Sequence, residues 1–177
     1  IVVLDEAYCE YVQAKDYPDS LQLLPKYPNL FITRTFSKIY GLAGLRVGYG
    51  FGSKELVAYL EKTREPFNVN FLAQTAALAA LDDTKFIGRS VRNNKKGKKY
   101  LYKEFKQLGL SYYKSEGNFI CVQLPLDGNE AFQKLMELGI TVRPMNGFGV
   151  PQAIRVTIGN PVQNEFFIEK LKKILGK

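Results

Sequence analysis

Three short apolar runs open the chain at strand length: Ile1 to Leu4, Leu30 to Arg34 and Val47 to Phe51. Between and after them the apolar residues fall into the three-and-four spacing of helices. That alternation predicts an α/β unit of parallel strands with helices. Ser53 is placed to cap a helix with Leu56, Val57 and Leu60 on one face. Pro66 breaks the chain, and the alanine-rich stretch Phe71 to Leu81 is a second helix able to approach a neighbour closely. A longer helix is predicted from about Thr84 to Leu108, with Ile87, Val91, Leu101, Phe105 and Leu108 inward and Gly109 as its left-handed terminator. The pattern then becomes strand (118–124), helix (129–138, ended by Gly139), two strands (141–143 and 154–158) and a last helix. Asn160-Pro161 opens that helix, which buries Phe167, Leu171, Ile174 and Leu175. The expected division is residues 1–82, part of a larger α/β domain, and residues 83–177, a small α+β domain.

Composition narrows the classes. Hydrophobic residues at 46% and aromatics at 13% of 177 positions suffice for a packed interior, and no apolar run approaches bilayer length. The net charge of +8 includes the cluster Arg92 to Lys99, which reads as a solvated helix face. A nucleic-acid module built on Arg89 to Lys103, with Tyr100 and Tyr102 interleaved, is the rival reading, but it leaves Asp5 and the spacing from Lys38 to Arg46 without a purpose. No nucleic-acid or membrane partner is therefore expected. Cys9 and Cys121 lack partners at metal-ligand spacing and suggest reduced thiols in a cytoplasmic protein. The absence of histidine excludes histidine metal sites and histidine triads. Because the chain starts with Ile1 inside a strand pattern, it reads as a piece of something longer.

The candidate chemistry lies at two strand ends. Asp5 follows the first strand and Ser37-Lys38 follow the second, on the rim where such sheets bind ligands. Lys38 can form an imine and move a proton. A buried Asp5 can keep a pyridine nitrogen protonated, and Tyr8 can donate to a ring oxygen. Thr35, Ser37 and the planar fork of Arg46 can hold a phosphate, with glycines at 41, 44 and 48 allowing close backbone approach. The set describes a pocket for pyridoxal 5'-phosphate.

Three segments carry a family likeness: Val3 to Tyr8, Thr35 to Tyr49, and Ile154 to Gly159. They resemble the class I and II, fold-type I pyridoxal-phosphate aminotransferases, and the likeness extends over the whole chain. It implies part of the cofactor-binding large domain in residues 1–82 and the small domain in residues 83–177. Lys38 would be the imine-forming lysine, with Asp5 and Tyr8 on the ring and Thr35, Ser37 and Arg46 on the phosphate. In the small domain, Arg155 would clamp a substrate carboxylate or other anionic group, Arg143 a substrate phosphate, and Asn118 would orient Arg155. The implied reaction is transamination between histidinol phosphate and 2-oxoglutarate in a homodimeric parent. Alternatives are an aromatic or other amino-acid aminotransferase, or a non-catalytic fragment. The family's amino-terminal half, with its glycine-rich turn and ring-stacking aromatic, has no counterpart in this sequence.

Overall fold

Strands β1 (Val2–Asp5) and β2 (Leu30–Thr35) pair in parallel, Val2 opposite Leu30 and Asp5 opposite Thr33, in a computed structural model that describes residues 1–177. Strand β3 (Gly48–Gly52) runs antiparallel to β2, with Thr35 opposite Gly48. This corrects the all-parallel expectation. A parallel return needs a crossover, usually a helix. The 36–47 connection holds only a short 3-10 turn at Ala43–Leu45, so the chain comes back as a hairpin-like neighbour. The sheet is mixed, in the order β1-β2-β3.

Helix α1 (Lys54–Thr63) is capped as expected, Ser53 Oγ accepting from the Leu56 amide at 3.3 Å. Its apolar face, however, is open within this chain: Val57 and Leu60 are exposed. Together with Ile1, Val3 and Phe31, α1 walls an apolar cavity of about 280 Å³. Helix α2 (Phe71–Asp82) buries Ala73 and Ala77 against Phe36 and Val47, and leaves Phe71, Leu72 and Leu78 exposed.

Helix α3 (Thr84–Gln107) ends as the sequence suggests. Gly109 adopts φ +72, its amide bonds Lys106 O, and the Leu110 amide bonds Phe105 O, which together form a Schellman closure. The basic cluster on this helix is only partly solvated, a correction to its reading as a free face. Arg92, Lys95, Lys96 and Lys99 are exposed, but Lys98 is buried with Nζ donating to Ser115 O at 3.0 Å, and Asn94 Nδ2 donates to Gly117 O at 3.1 Å.

The chain divides into two units, Ile1–Ser90 and Val91–Lys177, and the division falls inside α3. The second unit holds an antiparallel sheet ordered β4-β5-β7-β6. Its strands are β4 (Tyr112–Tyr113), β5 (Phe119–Gln123), β6 (Arg143–Pro144) and β7 (Ala153–Thr157). The two-residue β4 is too short for an apolar pattern to reveal. Helices α4 (Gly128–Glu137) and α5 (Pro161–Ile174) join the end of α3 on one sheet face. Phe105, Leu135 and Leu171 meet Ile120, Val122, Ile154 and Val156 there in a single core. Asn160 and Gln163 cap α5 reciprocally. The charge is unequally divided between the units: Ile1–Ser90 has ten basic and ten acidic side chains, while Val91–Lys177 has fifteen against seven and so carries the whole excess.

Candidate functional site

Each unit contributes one cluster. In the first, the parallel pairing of β1 and β2 brings Asp5 and Thr35 out at the same end of the sheet. Past Thr35 the chain turns sharply, because Thr35 Oγ1 accepts from the Ser37 amide at 3.0 Å. Phe36 and Ile39 are buried on either side of Ser37-Lys38 and pin that short segment. Arg46 returns to it, Nη1 donating to Ser37 Oγ at 3.3 Å and to Ala43 O at 2.7 Å. The backbone of Arg46 is left-handed, φ 52 and ψ 53, a conformation that costs a residue with a Cβ about 1–2 kcal/mol. Such strain persists where neighbours over-determine it; here Val47, immediately after, is buried and leads into β3. Gly41 at φ +73 and Gly48, where a Cβ would lie 2.8 Å from Arg34 O, are required by the turn, whereas Gly44 has open space around it.

Lys38 is exposed, and its Nζ lies 5.3 Å from the centre of the Tyr8 ring. The Asp5 Oδ1 accepts from the Ala7 amide at 3.1 Å, which directs the carboxylate along the strand end. Asp5 is exposed in this chain, contrary to the expectation of a buried carboxylate, because β1 is the edge strand and three of its four residues face outward. The structure thus gathers Thr35, Ser37 and Arg46 by hydrogen bonds, sets Lys38 against Tyr8, and leaves Asp5 at the same rim.

Alternation along β2 sends Arg34 to the opposite sheet face from Thr35. There it forms a feature the sequence did not announce. Arg34 Nε and Nη2 donate to Glu6 Oε2 at 3.0 and 2.9 Å, and Tyr17 OH donates to Glu6 Oε1 at 3.2 Å. Glu6 is nearly fully buried, and the pair ties the residue after Asp5 to the residue before Thr35. Burial, the largest single influence, would lower the Arg34 pKa, but the hydrogen bond to Glu6 together with Cys9, Tyr49 and the Glu6 charge outweighs it and the net direction is upward. Close by, burial pushes the Cys9 thiol up to about 11, with Glu10 adding to it, and the Tyr17 phenol up to about 12, with Glu6 adding to it.

In the second unit, Arg143 and Arg155 stand directly opposite each other across β6 and β7, on the sheet face away from the core. Like charges in register repel, and no carboxylate pairs with either one. Both line a cavity of about 420 Å³ with Thr141 and Thr157. Aromatic rings support them: Phe119 lies 5.0 Å from Arg155 Cζ, and Phe148 lies 5.9 Å from Arg143 Cζ. Cys121 is opposite Arg155 in β5, its thiol raised by burial and partly lowered by that guanidinium. Asn118 is half-buried just before β5, and its carbonyl accepts from the Ile158 amide at 2.8 Å. Two unpaired guanidiniums in one cavity suit a phosphate or a carboxylate. Phe119 and Phe148 carried no signal in the sequence beyond being aromatic.

The family profile of the aminotransferases of class I and II matches residues 1–171. The chain is 50% identical over 175 residues to a histidinol-phosphate aminotransferase of Geobacillus sp. (strain WCH70), covering 99% of this chain and 48% of that protein. It is 52% identical over 177 residues to the Moorella thermoacetica protein of the same name, covering 99% and 46%. The chain spans about half the length of the curated relatives it matches. Among solved structures, the histidinol-phosphate aminotransferase of Clostridium acetobutylicum superposes with a TM-score of 0.90 at 27% identity, over 98% of this chain and 54% of that one. The enzyme of the same name from Sinorhizobium meliloti, in complex with pyridoxal-5'-phosphate, superposes with a TM-score of 0.89 at 29% identity, over 99% and 49%.

Proposed function

Because the chain belongs to the class I and II aminotransferases, we propose that it supplies the carboxyl-terminal half of a pyridoxal-phosphate enzyme that exchanges an amino group between histidinol phosphate and 2-oxoglutarate, giving imidazole-acetol phosphate and glutamate. The observation that carries this reading is the convergence of Thr35, Ser37, Lys38 and Arg46 beyond β2, at the sheet end where Asp5 leaves β1. The donor set suits the cofactor: hydroxyls and a guanidinium for a phosphate, a carboxylate for a protonated ring nitrogen, and a phenol beside an amine. Residues 1–82 would be the carboxyl-terminal part of the cofactor-binding domain and residues 83–177 the small domain, in a cytoplasmic homodimer.

When bound, pyridoxal phosphate supplies an electron sink for the pair left on the substrate carbon once its proton departs. Lys38 Nζ takes that proton and delivers it to the far end of the transfer. Asp5 holds the proton on the ring nitrogen, and the Tyr8 hydroxyl donates to the ring oxygen. Thr35, Ser37 and Arg46 bind the cofactor phosphate through charge-assisted hydrogen bonds. Arg155 holds the carboxylate of glutamate or 2-oxoglutarate, Arg143 the phosphate of the other substrate, and Asn118 orients Arg155. The unpaired arginine pair and the roughly half-identical relatives favour a phosphate-bearing substrate over the other amino acids of the family.

Addition of pyridoxal phosphate, reduction with borohydride and peptide mapping test the reading. A label on Lys38 that disappears in Lys38→Ala is expected. A label spread over surface lysines and unchanged in Lys38→Ala would remove the support for a site in this chain.

A further inference from the structure

The Arg143 side of the anion cavity is built on a turn that amino transfer does not itself explain. Strand β6 runs through Pro144 into a 3-10 turn at Asn146–Phe148, closed by Gly149 at φ +76. Backbone bonds already hold this turn: the Met145 amide donates to Ala153 O at 3.0 Å and the Phe148 amide to Met145 O at 2.9 Å. A side-chain clasp is added to them. Asn146 Nδ2 donates to Asp127 Oδ2 at 2.8 Å, while Asp127 Oδ1 caps α4 through the Asn129 and Glu130 amides. The turn is thereby tied to the N-cap residue of α4, whose Ala131 and Leu135 lie in the core.

The clasp has a cost. Asn146 Oδ1 is buried without a hydrogen-bond partner, and an unpaired buried acceptor destabilises the fold. It is also tight: a Cβ on Gly128 would lie 2.5 Å from Ala153 O and 2.9 Å from Asn146 Oδ1, so only glycine fits there. Loop closure needs neither feature. What the clasp fixes beyond the loop is Phe148, two residues on, which is mostly exposed and whose ring lies beside the Arg143 guanidinium.

We propose that Asn146, held by Asp127, is a positioning residue of the anion site: it sets Phe148 against Arg143 and so aims that guanidinium at the phosphate of the substrate. This rests on the reading of Arg143 and Arg155 as an anion pair. A long arginine on an exposed strand samples many rotamers, and a ring held at a fixed place restricts them. Phe119 does the same for Arg155 from within β5, where the sheet itself supplies the rigidity.

The test is a titration of the full chain with inorganic phosphate, followed through the side-chain Nε–H resonances of Arg143 and Arg155. Saturable shifts at both are expected for the unaltered chain. Asn146→Ala and Phe148→Leu should each weaken binding about two- to fivefold, the range of one exposed cation–ring contact, while Phe148→Tyr keeps the ring and the affinity. If the unaltered chain shows no saturable shift, the anion-site reading fails and the proposal with it. If it binds and both weakened variants bind equally well, the positioning role alone is overturned. A loss in Phe148→Leu without a loss in Asn146→Ala would remove Asn146 from the account. Should Asn146→Ala unfold, the pair Phe148→Leu and Phe148→Tyr decides, because that ring is exposed and outside the core.

Discussion

The two units are of nearly equal length and opposite character. Val91–Lys177 closes on itself: fifteen buried residues form one core, and five large apolar side chains remain exposed. Ile1–Ser90 has a core cluster of four buried residues and fifteen large apolar side chains exposed, including Ile1, Val2 and Val3 on the edge strand. Yet it is the first, less covered unit that carries the residues proposed to hold the cofactor. On the proposed reading, the difference means that a reactive constellation does not need a deep core beneath it. Short pins suffice, in this case buried Phe36, Ile39 and Val47 flanking exposed Lys38 and Arg46. The other unit reverses the arrangement and hangs an exposed and a half-buried arginine on a sheet whose opposite face is buried in the core.

The comparison breaks most readily at Phe105, fully buried where α3 meets the sheet. Phe105→Ala is expected to cost about 3–5 kcal/mol in urea unfolding, while amide protection in β1 to β3 stays at its starting level. Equal loss of protection in both units would show that they unfold as one body. Glu6→Gln is next. Leaving Arg34 without its buried partner should cost about 3 kcal/mol, and the melting of β1 and β2 reads it. Replacing both members with apolar residues of similar size should recover much of that loss, and failure to recover would mean that Tyr17 and the neighbouring phenols depend on the charge. Gly109→Ala isolates a backbone term, since no atom lies within 4 Å of the added Cβ. An expected loss of about 1 kcal/mol, confined to the second unit, compares with near zero for Leu78→Ala on the exposed face of α2.

The smallest effect is chemical. With its thiol raised to about 11, chiefly by burial, Cys9 should be alkylated slowly at pH 8 and progressively faster toward pH 11. The proton is held more tightly in the folded state than at the ordinary value of 9.0, so this thiol contributes stability that is complete below pH 9 and lost as pH rises through about 11. Fast labelling at pH 8, with the rest of the chain folded, would mean that the site opens locally.

Much of this was legible in the sequence. Period and capping residues located every helix and the longer strands: Ser53, Asn160 and Gly109 stand where the caps form. The residues gathered beyond β2 follow from strand-end placement. The sense of β3 was not legible, because it is set by the length and helix content of the 36–47 connection rather than by any apolar pattern. The exposure of Asp5 depends on which strand lies at the edge. Lys98 and Asn94 were lost within a charged run, since only the packed structure shows which turn of α3 faces the 115–117 carbonyls. Glu6 with Arg34, and Asn146 with Asp127, are long-range pairs that no local spacing records.

Strand β2 alternates anchoring and chemistry residue by residue, Arg34 toward Glu6 on one face and Thr35 toward Ser37 on the other. That sets where the chain can change in length. The connection from residue 12 to residue 29 lies mostly at the surface with one short 3-10 turn, so gains and losses there leave the register untouched. A single residue gained or lost between Leu30 and Lys38 would turn the guanidinium to the wrong side and carry the amine away from Tyr8. Descendants of this sequence can therefore be expected to vary freely in the first stretch and to hold the second at constant length.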